Sequence, residues 1–195
     1  MSDNFYTIEE LTQIGFAFLG TNDDCKMDIR VSRKASIYSP EKVTLGNHVR
    51  IDDFCILSGH IEIGNYVHIA AYTALYGGKE GIYISDFANL SSRICVYSVS
   101  DDYSGKTMTN PMVPDEFKDV ESRPVYIGKH VIIGSTSIVL PGVNVAEGSS
   151  FGSFSFINSD SEPWSINVGI PARKIKNRSR NVIKLERDML EKYGK

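Results

Sequence analysis

From Leu45 onward an aliphatic or large apolar residue recurs at every sixth position. Leu45, Ile51, Leu57, Ile63, Ile69 and Leu75 form an unbroken run. Ile84, Leu90 and Val96 follow a three-residue slip, and Ile127, Ile133, Val139, Val145, Phe151 and Ile157 follow a long insertion. The residue after each leader is most often Gly, Ser or Ala, as at Gly46, Ser58, Gly64, Ala70, Ser91, Gly134 and Gly152. A period of six matches neither a helix nor the alternation of an isolated strand. It matches a stacked hexapeptide array, whose units are too small to bury an apolar face alone. A β-sandwich would instead show alternation broken by turns every 8–12 residues or so.

With three hexads per turn of a triangular prism, the coils are led by 45/51/57, 63/69/75, 84/90/96, 127/133/139 and 145/151/157. Each leader points inward and stacks on its equivalent about 4.8 Å away. Ile51, Ile69, Leu90, Ile133 and Phe151 are thus expected in one internal column. The fifth hexad position (Val49, Cys55, Ile61, Val67, Ala88, Ile94, Val131, Val143) is expected at the inner corners. Gly and Ser beside the leaders are expected to supply the unusual backbone angles of tight corners.

The chain has 195 residues, of which 42% are hydrophobic, enough for the core of a single domain. A net charge of −3 argues against a nucleic-acid partner. Cys25, Cys55 and Cys95 lack metal spacing, and the four histidines are not paired in ligand patterns, so no metal is expected. Without a signal peptide or a membrane-length apolar run, the expectation is a cytoplasmic protein with no membrane insertion.

The expected layout is one domain over 1–195: a helical cap over 1–28, a β-helix over 29–168 interrupted by a loop at 99–123, and a C-terminal extension over 169–195. Thr7-Ile8-Glu9-Glu10 has capping-box form and predicts a helix over 7–19. Ile29, Val31 and Ile37 begin an irregular first coil, Gly77 to Gly81 form a small bulge, and Asn181 to Tyr193 read as a second helix. The long loop, lacking periodicity of its own, is where chemistry is expected.

Repeats such as Ile63-Gly64-Asn65-Tyr66-Val67 and Ile127-Gly128-Lys129-His130-Val131, with Val139-Leu140-Pro141-Gly142-Val143 and Gly169-Ile170-Pro171-Ala172-Arg173, resemble the left-handed β-helix acyltransferases. The resemblance spans about residues 30–176. It implies an all-β, left-handed parallel β-helix of hexapeptide repeats with short N-terminal and C-terminal helices. Handedness follows from the resemblance alone, since general connection rules favour the other hand. The resemblance further implies a homotrimer with active sites between neighbouring prisms, and acetyl-CoA or another acyl-CoA as co-substrate. Sugar O-acetyltransferases of this family carry a His-Pro pair in the loop after the third coil. Here that stretch is Tyr97-Ser98-Val99-Ser100-Asp101-Asp102-Tyr103, without histidine. The chain looks closer to N-acyltransferases of nucleotide-linked 4-amino-4,6-dideoxy sugars used in surface polysaccharides. Val67-His68-Ile69-Ala70-Ala71, Ser100 to Gly105 and Asn110-Pro111 carry that likeness.

The chemistry agrees with this branch. A hydroxyl needs a strong positioned base, whereas an amine is already nucleophilic and needs mainly a proton acceptor. Asp101 or Asp102 is a sufficient base; the same residues would also form an ordinary polar turn. A backbone N–H of Ser91 or Ser92 is the candidate oxyanion donor. Ala70-Ala71, Ser91-Ser92, Gly134-Ser135 and Gly152-Ser153 stack into a track of small residues suited to a pantetheine arm. His68, outward beside the track, is a candidate hydrogen-bonding partner; His48, His60 and His130 fall on the fourth hexad position, a corner expected to face solvent. The resemblance assigns Pro171, Arg173, Lys174 and Lys176 to the adenosine and phosphate end of CoA. Tyr72, Tyr76, Arg93, Tyr97 and Tyr103 are available to the nucleotide sugar. The rival readings are a sugar O-acetyltransferase with His68 as base, and a non-catalytic trimeric scaffold or zinc hydratase.

Overall fold

The computed structural model describes residues 4–19 and 27–193, so Cys25 lies outside the described residues. The hexads build a triangular parallel β-helix in the expected register. One wall stacks Phe18, Leu45, Ile63, Ile84, Ile127 and Val145. The second stacks Val31, Ile51, Ile69, Leu90, Ile133 and Phe151, then Asn167. The third stacks Ile37, Leu57, Leu75, Val96, Val139 and Ile157. The leaders from Leu45 to Ile157 are all buried, as are the fifth-position residues from Val49 to Val143. Each such Ile, Leu or Val contributes about 1.5–3 kcal/mol of transfer free energy.

The corners correct one expectation. Gly46, Gly64, Gly128, Gly134 and Gly152, which follow leaders, are absent from the left-handed backbone region. They are small because the next coil is too close. A Cβ on Gly46 would stand 2.6 Å from the Gly64 carbonyl carbon, and one on Gly128 would stand 2.7 Å from Glu147 N. The left-handed residue comes two places later and is usually large: His48, Tyr66, Phe87 and His130 at the first corner have φ near +57 to +59°. Such angles cost a non-glycine residue about 1–2 kcal/mol. Side-chain stacking offsets this, since the rings of His48, Tyr66, Phe87 and His130 lie 4.4, 4.9 and 5.2 Å apart in sequence.

Both ends of the prism are covered. Helix α1 (Ile8–Ile14) has the expected capping box, with Thr7 N–H donating to Glu10 at 2.8 Å and Glu10 N–H to the Thr7 hydroxyl at 3.2 Å. It stops short of the expected 7–19 because Gly15 caps it at φ 111°. Phe18 then adds to the first wall, pairing with Leu45. At the other end Ser165–Val168 extends the second wall, and Arg173–Asn177 returns antiparallel to it. Helix α2 spans Asn181–Tyr193, as expected. It covers the first corner, so His130 is 8% exposed and not solvent-facing, with Nε2 2.7 Å from Glu186. Ala74–Ile84 forms one long strand through the small bulge, with register shifts against Ile56–Ile63.

Candidate active site

The second corner, between the second and third walls, stacks Asp52-Asp53-Phe54, Ala70-Ala71-Tyr72, Ser91-Ser92-Arg93, Gly134-Ser135-Thr136 and Gly152-Ser153-Phe154. Backbone accounting separates the two serines. The N–H of Ser91 donates to Ile133 O at 3.0 Å within the coil-to-coil ladder, as Ala70 N–H does to Leu90 O at 2.9 Å and Gly134 N–H to Phe151 O at 2.9 Å. The amides of Ala71, Ser92, Ser135 and Ser153 have no acceptor among the described residues. Of the expected oxyanion donors, the Ser91 amide is therefore engaged and the Ser92 amide is open. The open amides form a vertical row at coil spacing, suited to the carbonyls of a long thin ligand.

His68 stands on the second wall beside this row, stacked between Arg50 and Asn89. Its Nε2 lies 2.8 Å from Asp52 Oδ2, and Arg50 Nε donates to Asp52 Oδ1 at 2.6 Å. Partial burial pushes the Asp52 carboxyl up, but hydrogen bonds from His68 and Arg50 outweigh it and hold the group below the usual aspartate range. Asp52 escaped the reading of the sequence. Its signal was present: it holds the place where every later coil has Ala, Ser or Gly, one coil below His68.

The long insertion leaves at the third corner. Val99–Ser100 pairs antiparallel with Glu121–Ser122 to close its base. Inside the loop Asp102 accepts from Ser104 N–H at 2.7 Å, Thr107 N–H at 2.9 Å and the Thr107 hydroxyl at 3.0 Å. These bonds hold its carboxyl well below the usual range and make it the organiser of the turn. Asp101 is exposed, and its carboxylate meets no donor among the described residues. Tyr103 is 94% exposed.

The aromatic candidates divide between corners. Tyr72 stacks on Phe54 at 5.0 Å and under the Arg93 guanidinium at 5.6 Å, on the second corner. Tyr76 and Tyr97 stack at 5.1 Å beside the third. Burial, then Cys95, pushes the Tyr97 phenol up to about 12, so it remains a neutral donor. Among the described residues no hydrogen bond or ring contact joins the stretch 101–103 to the second corner. Beyond the top of the row, Arg173 pairs with Val168, whose side chain lies over Gly152. Lys174 is held to Glu162 at 2.6 Å, while Pro171 and Lys176 are exposed. Gly134 and Ser135, Gly152 and Ser153 and the basic strand therefore share one edge. Among the described residues no group of three His, Cys, Asp or Glu side chains could hold a metal.

A model of the bacterial transferase hexapeptide (six repeats) family matches residues 42–77. Over 180 residues the chain is 46% identical to the dTDP-4-amino-4,6-dideoxy-D-glucose acyltransferase of Escherichia coli, covering 91% of this chain and 90% of that one. The chain belongs to the hexapeptide-repeat acyltransferases. This acyltransferase superposes on AntD, an N-acyltransferase from Bacillus cereus in complex with dTDP and 3-hydroxybutyryl-CoA, with a TM-score of 0.91. The two are 48% identical, over 98% of this chain and 99% of that one. An AntD variant was also solved with dTDP-4-amino-4,6-dideoxyglucose and coenzyme A (TM-score 0.90, 48% identity, over 97% of this acyltransferase and 98% of that one). Variants of AntD alter one serine and one aspartate ten residues further on. At 27% identity over 150 residues, covering 75% of this acyltransferase and 74% of the relative, stands WbbJ of Escherichia coli, a putative lipopolysaccharide biosynthesis O-acetyl transferase. The left-handed β-helix of the family is the fold found for this acyltransferase.

Proposed function

We propose that this chain is an acyl-CoA-dependent N-acyltransferase that acylates the amine of a dTDP-linked 4-amino-4,6-dideoxy sugar. The observation that carries this reading is the near-full-length likeness to AntD together with its serine–aspartate interval. Ser91 precedes Asp101 by the same ten residues, and Ser92 precedes Asp102 likewise. Hydrogen bonding favours Asp101 over Asp102 as the base, since Asp102 already accepts from Ser104 and Thr107 within its turn.

The pantetheine arm lies along the open amides of Ser153, Ser135 and Ser92, with the phosphates of CoA near Arg173, Lys174 and Lys176 and Pro171 beside them. The sugar amine attacks the thioester carbonyl, forming the C–N bond. The Ser92 N–H stabilises the oxyanion, and the Ser91 hydroxyl is free to orient the amine. Asp101 takes a proton from the nitrogen of the tetrahedral intermediate, and the C–S bond breaks to release CoA. Tyr72, Arg93, Tyr76, Tyr97 and Tyr103 are the groups offered to the nucleotide and its phosphates.

The Asp101 loop and the amide row stand on different corners of one prism. A homotrimer in which each loop serves a neighbour's row resolves that separation. The chain works as a single domain in the cytoplasm, where acyl-CoA and nucleotide sugars are available, and its product feeds surface-polysaccharide synthesis, as the likeness to WbbJ supports. The test is thiol release from acetyl-CoA and 3-hydroxybutyryl-CoA with dTDP- and UDP-linked 4-amino sugars against hydroxyl sugars. Turnover with the amino sugars is expected. Turnover confined to hydroxyl sugars would reject this reading in favour of O-acetylation with His68 as base.

A further inference from the structure

Asp52 interrupts the column of small residues at the second corner, and its side chain turns to His68 rather than to solvent. His68 Nε2 is 2.8 Å from the carboxylate, and Arg50 occupies the other oxygen at 2.6 Å. A carboxylate kept anionic by a guanidinium accepts but does not donate. It therefore holds His68 in the Nε2–H tautomer when the ring is neutral. Nδ1 is then the ring's lone-pair nitrogen, and no described residue takes it.

We infer that Asp52 is a positioning residue that presents His68 Nδ1 as the acceptor of the first proton lost by the incoming sugar amine. This rests on the reading of the second corner as the thioester site. CoA enters from the basic strand, so its reactive end points down the amide row past Ser92 toward the coil that carries His68. Asn89, the ladder partner of His68, lies two residues before Ser91. An alkylamine arrives protonated near neutral pH and must lose one proton before it can attack. His68 takes that proton through Nδ1 and returns it to solvent. Asp101 takes the second from the tetrahedral intermediate, and the departing thiolate is protonated as CoA leaves. One proton is released per acyl group transferred, as amide formation from an ammonium requires.

The experiment joins steady-state kinetics with nitrogen NMR of the histidine rings in the intact protein. In wild type the neutral form of the His68 ring is expected to carry its proton at Nε2, facing Asp52. Asp52→Asn should lose that tautomer bias and lower kcat by about 10²-fold, the lower end of general-base contributions, with KM for acyl-CoA unchanged. Asp52→Glu should restore part of the rate, and His68→Gln combined with Asp52→Asn should be no slower than His68→Gln alone. A wild-type rate in Asp52→Asn, or losses that multiply in the double variant, overturns the inference. An inactive wild type with every amino sugar instead overturns the functional reading, before any variant is made.

Discussion

Glu186 on α2 accepts from Lys129 Nζ at 2.6 Å and lies 2.7 Å from His130 Nε2, fastening the C-terminal helix to the first corner. Burial pushes the Glu186 carboxyl up, but Lys129 and His130 outweigh it and hold it below the ordinary glutamate value of 4.5. A carboxyl whose folded pKa is depressed adds stability above its unfolded pKa and loses it as pH falls through the folded one. Docking of α2 should therefore weaken below about pH 4.5 in wild type. Glu186→Gln should be flat in that window and less stable at neutral pH by about 1.5–3 kcal/mol, the worth of a charge-assisted hydrogen bond. Hydrogen exchange along α2 across pH is the measurement, and identical profiles for the two proteins would dismiss the clamp.

The two aspartates of the loop should fail differently. Asp101→Asn removes the proton acceptor and should lower kcat by about 10²-fold while leaving acyl-CoA affinity nearly intact. Asp102→Ala removes the acceptor for Ser104 and Thr107, so the loop loses its shape; kcat should fall and KM for the nucleotide sugar should rise together. Kinetics on both substrates separates these patterns. Equal behaviour of the two variants would contradict the division of labour.

Gly134 is small for stacking as well as for any ligand. A Cβ there would collide with Ser153 N and stand 2.7 Å from the Gly152 carbonyl carbon. Gly134→Ala should force adjacent coils apart and destabilise the fold by about 1–3 kcal/mol, as overpacking does. Thermal denaturation reads this directly, and an unchanged midpoint would mean that the coils yield more easily than their contacts imply.

Cys55 is fully buried and its thiol donates to Ala70 O at 3.3 Å. Burial pushes it up to about 11. The native protein should leave Cys55 unmodified by iodoacetamide at neutral pH, while the unfolded chain reacts. Peptide mass spectrometry of labelled native and denatured samples decides the matter, and rapid native labelling of Cys55 would show that the coil opens.

The six-residue apolar period determined the prism, its register and the internal columns from Leu45 to Ile157 by itself; Phe18 and Asn167 join those columns outside it. Inward pointing depends only on position within a hexad, so Ile51, Ile69, Leu90, Ile133 and Phe151 could be stacked by counting. The C-terminal helix and the capping box at Thr7 were legible from their own local patterns, outside the hexads. Tertiary structure decided what counting cannot reach. Which residue of a corner turns left-handed depends on how tightly coils approach, and that moved the strain from Gly46 to His48. Whether Ser91 or Ser92 keeps a free amide depends on which N–H faces the next coil. His130 is buried by residues that arrive from far along the chain, Glu186 and Trp164 among them. Asp52 meets His68 across one coil, and Asp102 is claimed by its own turn while Asp101 is not. Local pattern specifies where a side chain starts; its charge and hydrogen-bond partners are settled by neighbours that only folding brings within 3 Å or so.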